Sequence, residues 1–286
     1  MIKILSPAKL NIFLEVVQKR TDGYHDIDSV FVKVNLCDSI DMELINDEVI
    51  TVSTDHPSVP DGPENIVYKS VIALKKYFNR NGGVRISITK VIPVGGGMGG
   101  GSSNAAAVIK GLCKLWGYDY SSPEVMGIAA RIGADVPFFL SGHTIAVCKG
   151  IGEIITPVAS DLSLTFVVVN PNVMISTGDI YRKVNLTSAR KDSIIITEAI
   201  TIKCLDKIGV NFFNRMEDTV IKDFPVIAEI KKALLEAGCS ASLMSGSGST
   251  VFGLVKNDHS RDNVIKHIRE KYPEWFSCIA ATIYEK

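Results

Sequence analysis

The stretch that most constrains this chain is Pro93-Val-Gly-Gly-Gly-Met-Gly-Gly-Gly-Ser-Ser-Asn104, in which six of seven consecutive residues are glycine. Glycine loses much backbone entropy on folding and has no side chain to bury, so this stretch is unsuited to a packed core. It suits a backbone that turns tightly and approaches a ligand closely. Apolar residues then recur at helical spacing from Ala105 to Trp116, and Ser102 and Ser103 are the predicted N-cap residues.

A helix that begins at a glycine-lined turn predicts an anion site, because its first N–H groups are unpaired and its dipole is positive there. A flexible linker is the weaker alternative, since linkers do not lead directly into capped amphipathic helices. The literal match Gly95-x-Gly97-x-x-Gly100 is typical of dinucleotide folds. However, the strand before it, Val84 to Ile92, alternates apolar and polar residues as a half-exposed antiparallel strand does. The Gly-Lys-Ser/Thr ending of a P-loop is also missing.

Composition narrows the function classes. Thirty-one basic and 31 acidic residues cancel, so no net charge favours nucleic acid or a membrane surface as a partner. The six cysteines contain no C-x-x-C pair, which indicates thiols in a reducing compartment rather than disulfides or a zinc site. The sequence shows no basic-then-apolar leader, and no apolar run approaches the length of a membrane helix. We therefore expect a cytoplasmic protein.

The order of elements predicts two α+β domains, residues 1–155 and 156–286. The second begins with a continuous apolar strand at 164–169. It continues with a helix at 225–237, strands at 241–245 and 250–255, a helix at 258–272 and a last strand at 277–284. Strand, helix, strand, strand, helix, strand is the pattern of a ferredoxin-like layer.

Several polar residues have both a structural and a functional interpretation. Lys9 and Asn11 share one face of a strand over residues 2–17, which Pro7 is expected to break; such a face is usually solvated. Asp135 follows the helix end at Gly133 and is either a turn residue or a carboxylate held in a cleft.

At other positions the sequence pattern alone gives weaker evidence of a functional role. Tyr24 and His25 sit at a turn, where histidine is more often a surface residue. Asn65 lies in the first turn of a helix predicted to start at Asp61-x-x-Glu64, and there we favour a bond to its own backbone. The small residues 245–249 form either an ordinary hairpin or a second close approach to the ligand.

Three stretches together resemble the motifs of the GHMP kinases: Ser6–Asn11, Pro93–Asn104 and Ser245–Thr250. Arg20-x-Asp-Gly-Tyr-His25 and Gly133–Phe139 narrow the resemblance to a branch whose substrate is a cytidine-diphosphate-linked methylerythritol. The resemblance implies a ribosomal S5 domain 2-like N-terminal domain and a ferredoxin-like C-terminal domain. It also implies ATP-dependent phosphorylation of the tertiary 2-hydroxyl of that substrate, in non-mevalonate isoprenoid precursor synthesis.

The resemblance also implies residue roles. The catalytic pair maps onto Lys9 and Asp135. The residues expected at ATP are Asn65, Lys90, Pro93, Gly95, Gly96, Gly97, Met98, Gly99, Gly100, Gly101, Ser102 and Ser103. The residues expected at the cytidyl substrate are Asn11, Tyr24, His25, Phe31, Thr177 and Tyr181. Mg²⁺ is expected from phosphoryl-transfer chemistry, with no protein ligand assigned.

Three alternatives stay open. A homoserine or mevalonate kinase shares the glycine stretch but should lack the Tyr24-His25 pair and the aromatic residue at 181. A nicotinamide oxidoreductase would follow from the literal dinucleotide match, and an RNA-binding module from an S5-like topology. The balanced charge disfavours the last of these, so we expect a small-molecule partner, without nucleic acid or membrane, in a monomer or homodimer.

Overall fold

The computed structural model describes residues 1–186 and 189–284. These residues form two compact units, and the chain passes between them several times. The first unit contains Met1–Ala8, Leu36–Val94 and Gly99–His143. The second unit contains Lys9–Asn35, Gly95–Met98 and the residues from Thr144 onward. The units therefore do not follow a single cut in the sequence, and the division at residue 155 stays a prediction about sequence domains.

Eleven strands and ten α-helices are found in the described residues. The strands are β1 (Ile2–Lys19), β2 (His25–Ile45), β3 (Ile50–Thr54), β4 (Gly83–Thr89), β5 (Ile145–Gly150), β6 (Ile154–Pro157), β7 (Thr165–Asn170), β8 (Phe213–Asn214), β9 (Ala241–Met244), β10 (Val251–Val255) and β11 (Phe276–Ala281). The helices are α1 (Ile66–Phe78), α2 (Gly100–Trp116), α3 (Pro123–Ile132), α4 (Val136–Leu140), α5 (Thr177–Lys183), α6 (Ile194–Thr201), α7 (Leu205–Val210), α8 (Glu217–Asp223), α9 (Val226–Glu236) and α10 (Asp258–Lys271).

In the first unit, helices pack beside a small sheet. β4 pairs antiparallel with the C-terminal half of β2 and parallel with β3. The expected alternation is confirmed in β4, where Val84, Ile86 and Ile88 are buried and the residues between them are exposed. α2 is buried along most of its length and packs against α1 and α4. The core of this unit therefore holds the helix that follows the glycine stretch.

In the second unit, β7, β9, β10 and β11 form one antiparallel sheet in the order β11-β7-β10-β9. With α9 and α10 in their chain positions, this is the ferredoxin-like arrangement that the sequence predicts. β10 and nearly all of β7 are buried, because helices α9 and α10 contact this sheet. The N-terminal half of β2 pairs with β5, and β5 pairs with β6; neither β5 nor β6 is predicted from the sequence.

Three local predictions are wrong. β1 runs unbroken through Pro7. Sheets tolerate a proline at positions where the pairing needs no backbone N–H. The predicted capping box at Asp61 is replaced by a short 3₁₀ turn, Gly62–Glu64, and α1 starts after Asn65. α2 begins at Gly100, ahead of the serines predicted to cap it, because Gly99 adopts the left-handed conformation and acts as the N-cap.

Candidate functional site

The glycine loop, residues 93–101, needs glycine at specific positions. Gly95, Gly97 and Gly99 all have positive φ, between 69° and 75°, where other residues are strained. A Cβ atom on Gly97 would lie only 2.1 Å from the Ser245 carbonyl oxygen. The alternating left-handed residues and this close approach explain why the loop has almost no side chains.

The middle of the loop is hydrogen-bonded within the second unit. The Ser245 hydroxyl donates to the Gly97 carbonyl oxygen at 2.9 Å, and the Thr250 N–H donates to the Gly96 carbonyl oxygen at 3.2 Å. The Lys9 N–H donates to the Met98 carbonyl oxygen at 3.0 Å. The 245–249 turn, left open between two interpretations, thus binds the glycine loop directly; whether it also approaches a ligand stays a prediction.

The first turn of α2 has the chemistry of an anion site. Its N-cap, Gly99, has no side chain to cap the helix, so the first N–H groups remain available to a ligand. Gly101 is exposed and Ser102 is half-buried, whereas Ser103 is buried. Ser103 accepts a hydrogen bond from the Ser6 hydroxyl at 2.8 Å instead of capping the helix.

Lys9 lies in a buried polar cluster of the second unit. Its ammonium group donates to the Asn11 side-chain oxygen and lies 4.4 Å from the centre of the Phe31 ring. Asn11 donates to the Ser29 hydroxyl at 3.0 Å, and its backbone N–H donates to the Ser245 hydroxyl at 3.2 Å. Lys9 and Asn11 are both buried, so this face of β1 is not the solvated face that its polarity alone favoured.

Asp135 lies in the first unit, at the turn between α3 and α4. It occupies the N-cap position of α4, but its side chain does not cap that helix. A Cβ on Gly133, two residues earlier, would be 3.6 Å from the Ser102 hydroxyl, which places this turn beside the start of α2. Asp135 is half-buried. Lys9 belongs to the other unit, and the pairing of these two residues stays a prediction.

The residues expected to hold the cytidyl group are partly assembled in the second unit. The rings of His25 and Tyr181 stack with their centres 5.0 Å apart and their planes inclined by 28°. Burial, and then the nearby charge of Lys19, lowers the pKa of His25, which favours its neutral form. Thr177 shares a hydrogen bond with Ser247 at 2.8 Å. Tyr24, the residue before His25 in the chain, is 60% exposed.

Asn65 and Lys90, expected at ATP, are bonded within the first unit. Asn65 caps α1 by accepting from the Val67 N–H at 2.9 Å and donates to the Pro60 carbonyl oxygen at 2.8 Å. This is the backbone-bonding role that the pattern favoured. The buried Lys90 ammonium forms an ion pair with Asp38. Contacts of either residue with a nucleotide stay a prediction.

Asp38, Asn104 and Ser6 form a buried network with Lys90 that the sequence did not single out as functional. The available signal was weak: Asp38 is one acidic residue in a long strand, and Asn104 is the last residue of the glycine-rich stretch. A pattern of apolar residues does not reveal which distant donors meet a single carboxylate.

Two findings concern a metal and a membrane. Across residues 1–186 and 189–284, no three His, Cys, Asp or Glu side chains group closely enough to hold a metal ion. The same part of the chain contains no helix that is both long and apolar enough to span a bilayer.

Comparison with known proteins gives matches along most of the chain. The family model described as GHMP kinases N terminal domain matches residues 65–143, and the one described as GHMP kinases C terminal matches residues 198–274. The chain is 39% identical over 282 residues to the 4-diphosphocytidyl-2-C-methyl-D-erythritol kinase of Geobacter sp. (strain M21), covering 99% of both chains. It is 40% identical over 280 residues to the protein of the same name from Geobacter sulfurreducens, covering 97% of this chain and 98% of the relative.

Two solved kinase structures superpose on this chain. A crystal structure of a 4-(cytidine 5'-diphospho)-2C-methyl-D-erythritol kinase superposes with a TM-score of 0.82 at 30% identity, covering 99% of this chain and 100% of that one. A homoserine kinase from Cytophaga hutchinsonii superposes with a TM-score of 0.74 at 16% identity, covering 99% of this chain and 94% of that one. At that identity the second likeness concerns the fold alone.

Proposed function

This chain belongs to the 4-diphosphocytidyl-2-C-methyl-D-erythritol kinases, a branch of the GHMP kinases, and we propose that it catalyses the reaction for which that family is named. It has the two-domain α+β fold of the GHMP kinases. The reaction is ATP-dependent phosphorylation of the 2-hydroxyl of 4-diphosphocytidyl-2-C-methyl-D-erythritol, in the synthesis of isoprenoid precursors. The observation that carries the proposal is identity of 39% along the whole length of a relative of this name.

Asp135 and Lys9 are the proposed catalytic pair. A tertiary alcohol is a weak nucleophile, so a carboxylate that accepts its proton and a group that fixes its orientation both lower the barrier. Asp135 takes the proton of the 2-hydroxyl. Lys9 orients that hydroxyl, and Asn11 holds the Lys9 ammonium through its side-chain oxygen. Being buried with Asn11 and Phe31, Lys9 has little freedom to leave this orientation.

The glycine loop and the start of α2 are the proposed cradle of the ATP phosphates. Backbone N–H groups there can bind phosphate oxygens without any side chain coming between them. Mg²⁺ is proposed to enter with the nucleotide as Mg·ATP, because this ion usually keeps several waters and is bound through substrate phosphates. Asn65 and Lys90 are the proposed neighbours of the adenine.

Stacking and one imidazole are the proposed basis of cytidine recognition. Tyr181, with Tyr24 and Phe31, supplies aromatic surface, and base–aromatic stacking contributes roughly 1–3 kcal/mol per base. A neutral His25 keeps one donor and one acceptor nitrogen, which is what a cytosine edge requires. Asn11 and Thr177 are proposed to contact the erythritol part. A homoserine or mevalonate substrate has no base that could stack on these aromatic rings.

An acceptor comparison tests the proposal. ADP release is measured in a coupled assay with Mg·ATP and, in turn, the cytidyl substrate, homoserine and mevalonate. We expect turnover with the cytidyl substrate and, with either other alcohol, kcat/KM lower by at least about 10³-fold, because a site built for hydrogen bonding rejects a ligand lacking the partner groups. Comparable turnover with homoserine or mevalonate would contradict the proposed substrate.

A further inference from the structure

One buried carboxylate, that of Asp38 on β2, accepts four hydrogen bonds from side chains and backbone. The donors are the Lys90 ammonium, the Asn104 side-chain amide at 2.9 Å, and the backbone N–H groups of Val91 and Ile92, both at 2.8 Å. The Asp38 side chain has no exposed surface, and that of Lys90 is 4% exposed. Every donor lies in the first unit.

These donors flank the glycine loop on both sides. Lys90, Val91 and Ile92 come directly before it, and Asn104 lies in the first turns of α2, directly after it. The Asn104 amide also donates to the Ser6 hydroxyl at 2.9 Å, and that hydroxyl donates to Ser103 at 2.8 Å. A single carboxylate therefore connects the entry of the loop to the start of the helix.

The chemistry of this cluster suits positioning better than binding. A buried ion pair gains little net stability, because desolvation of the charges offsets their attraction. A carboxylate with four donors, two of them backbone N–H groups, nevertheless fixes geometry strongly, since charge-assisted hydrogen bonds are short and directional. The glycines between the two ends cannot fix their own geometry, because glycine has the most accessible backbone conformations.

We infer that Asp38 is a positioning residue for nucleotide phosphates, and that Lys90 acts through Asp38 rather than on the adenine. Asp38 holds residues 91–92 and Asn104 so that the loop between them is already arranged to bind phosphate, which lowers the ordering cost of binding. The inference rests on the proposed function in one respect: it takes the loop to be the phosphate cradle. It departs from that proposal in the role of Lys90.

The test compares Asp38→Asn with Asp41→Asn, which removes a carboxylate three residues along the same strand. The dissociation constants of ADP and of adenosine are measured by calorimetry and competition, with the KM values for ATP and the cytidyl substrate. We expect Asp38→Asn to raise the dissociation constant of ADP about tenfold, because buried donors lose an acceptor. Adenosine affinity and the KM for the cytidyl substrate should stay within about twofold of wild type, as should every constant of Asp41→Asn.

Lys90→Met separates the two roles of the lysine. If Lys90 acts through Asp38, this substitution weakens the binding of ADP but not of adenosine. Adding it to Asp38→Asn then causes no further loss of ADP affinity, since the effects of coupled residues are not additive. Equal weakening of adenosine and ADP by Lys90→Met would place the lysine at the base and overturn its assigned role.

The result that overturns the inference as a whole is ADP binding by folded Asp38→Asn at wild-type strength. If that variant does not fold, Ser6→Ala perturbs the same network less. It should weaken ADP binding about threefold and leave adenosine binding unchanged. Unchanged ADP affinity would equally overturn the inference. Failure of the wild-type protein to bind ADP at all would instead refute the proposed function.

Discussion

Lys9 is costly to bury, and at the residue scale its surroundings explain why it is retained. A charged ammonium away from water needs compensation, which the Asn11 amide oxygen and the face of Phe31 supply. Asp135, at its turn, is half-buried and does not cap the helix that it precedes.

Asp135→Asn is therefore predicted to lower kcat for the cytidyl substrate by about 10²-fold or more, the usual contribution of a positioned general base. The KM for ATP should change little, because the carboxylate is not proposed to contact the nucleotide. Steady-state kinetics measures both constants. Asp47→Asn, an exposed carboxylate of the turn between β2 and β3, is the matched control and should behave as wild type. Near-normal turnover by folded Asp135→Asn would remove this residue from the mechanism.

His25 gives a prediction about pH and stability. Because burial lowers its pKa in the folded state, the unfolded chain binds a proton at a higher pH than the folded protein does. The free energy of unfolding should thus fall as the pH drops below the ordinary histidine pKa of about 6.5, and continue to fall down to the lowered pKa. Above that range His25 contributes no pH dependence. Denaturant unfolding of wild type and His25→Gln between about pH 5 and 8 measures the difference, which should shrink as the pH falls; a constant difference would contradict the assignment.

At the scale of elements, the glycine loop was the most predictable part of the chain. Its composition required tight turns, and the apolar spacing after it required a helix; both are present. The N-cap was mispredicted because serine is the better cap by propensity, whereas here left-handed Gly99 starts the helix. The ferredoxin-like layer was equally predictable, because the order of strands and helices along the chain is that of this fold, and the sheet order agrees.

What the sequence could not give is the set of contacts made by distant residues. The bonds of Asp38 to Lys90 and Asn104, and of Ser245 to the glycine loop, join segments far apart in the chain. No periodic pattern encodes such pairs. β5 and β6 are also not predicted, because both strands are short and β6 crosses the predicted boundary at residue 155.

Gly97→Ala tests the loop geometry. Gly117, at the end of α2, has the same positive φ near 75°, but a Cβ added there would meet no atom of the described residues within 4 Å. Gly117→Ala therefore isolates backbone strain, about 1–2 kcal/mol. In Gly97→Ala the new Cβ would also meet the Ser245 carbonyl oxygen at 2.1 Å. We predict an additional loss of about 1–3 kcal/mol in the free energy of unfolding, by denaturant titration. Equal losses for the two variants would show that the close approach is absent.

At the scale of the whole molecule, the proposed catalytic residues are divided between the two units, and the second unit has an ionic anchor of its own. The Glu15 carboxylate binds Arg215 through two hydrogen bonds of 2.7 and 2.6 Å and accepts from the Lys191 N–H at 2.8 Å. The hydrogen bonds that Arg215 donates to Glu15 raise the pKa of Arg215. This pair joins β1 to the chain segments on either side of α6 and α7.

Glu15→Gln is predicted to lower the free energy of unfolding by about 3 kcal/mol, because it leaves a largely buried guanidinium without its counter-charge. Asp223→Asn, which breaks the exposed pair of Lys183 and Asp223, is the matched control and should cost less than about 1 kcal/mol. Calorimetric or denaturant unfolding distinguishes them, and similar small losses in both would mean that Glu15 is not an anchor.

The most direct measurement is phosphorus NMR of the reaction product, with ADP counted in parallel. A glycine-lined loop that binds ATP, together with an alcohol prepared by Lys9 and Asp135, predicts one new phosphomonoester on the tertiary 2-hydroxyl for each ADP released, with the cytidine diphosphate linkage intact. A phosphate on another hydroxyl, or ADP released at the same rate without the cytidyl substrate, would contradict it.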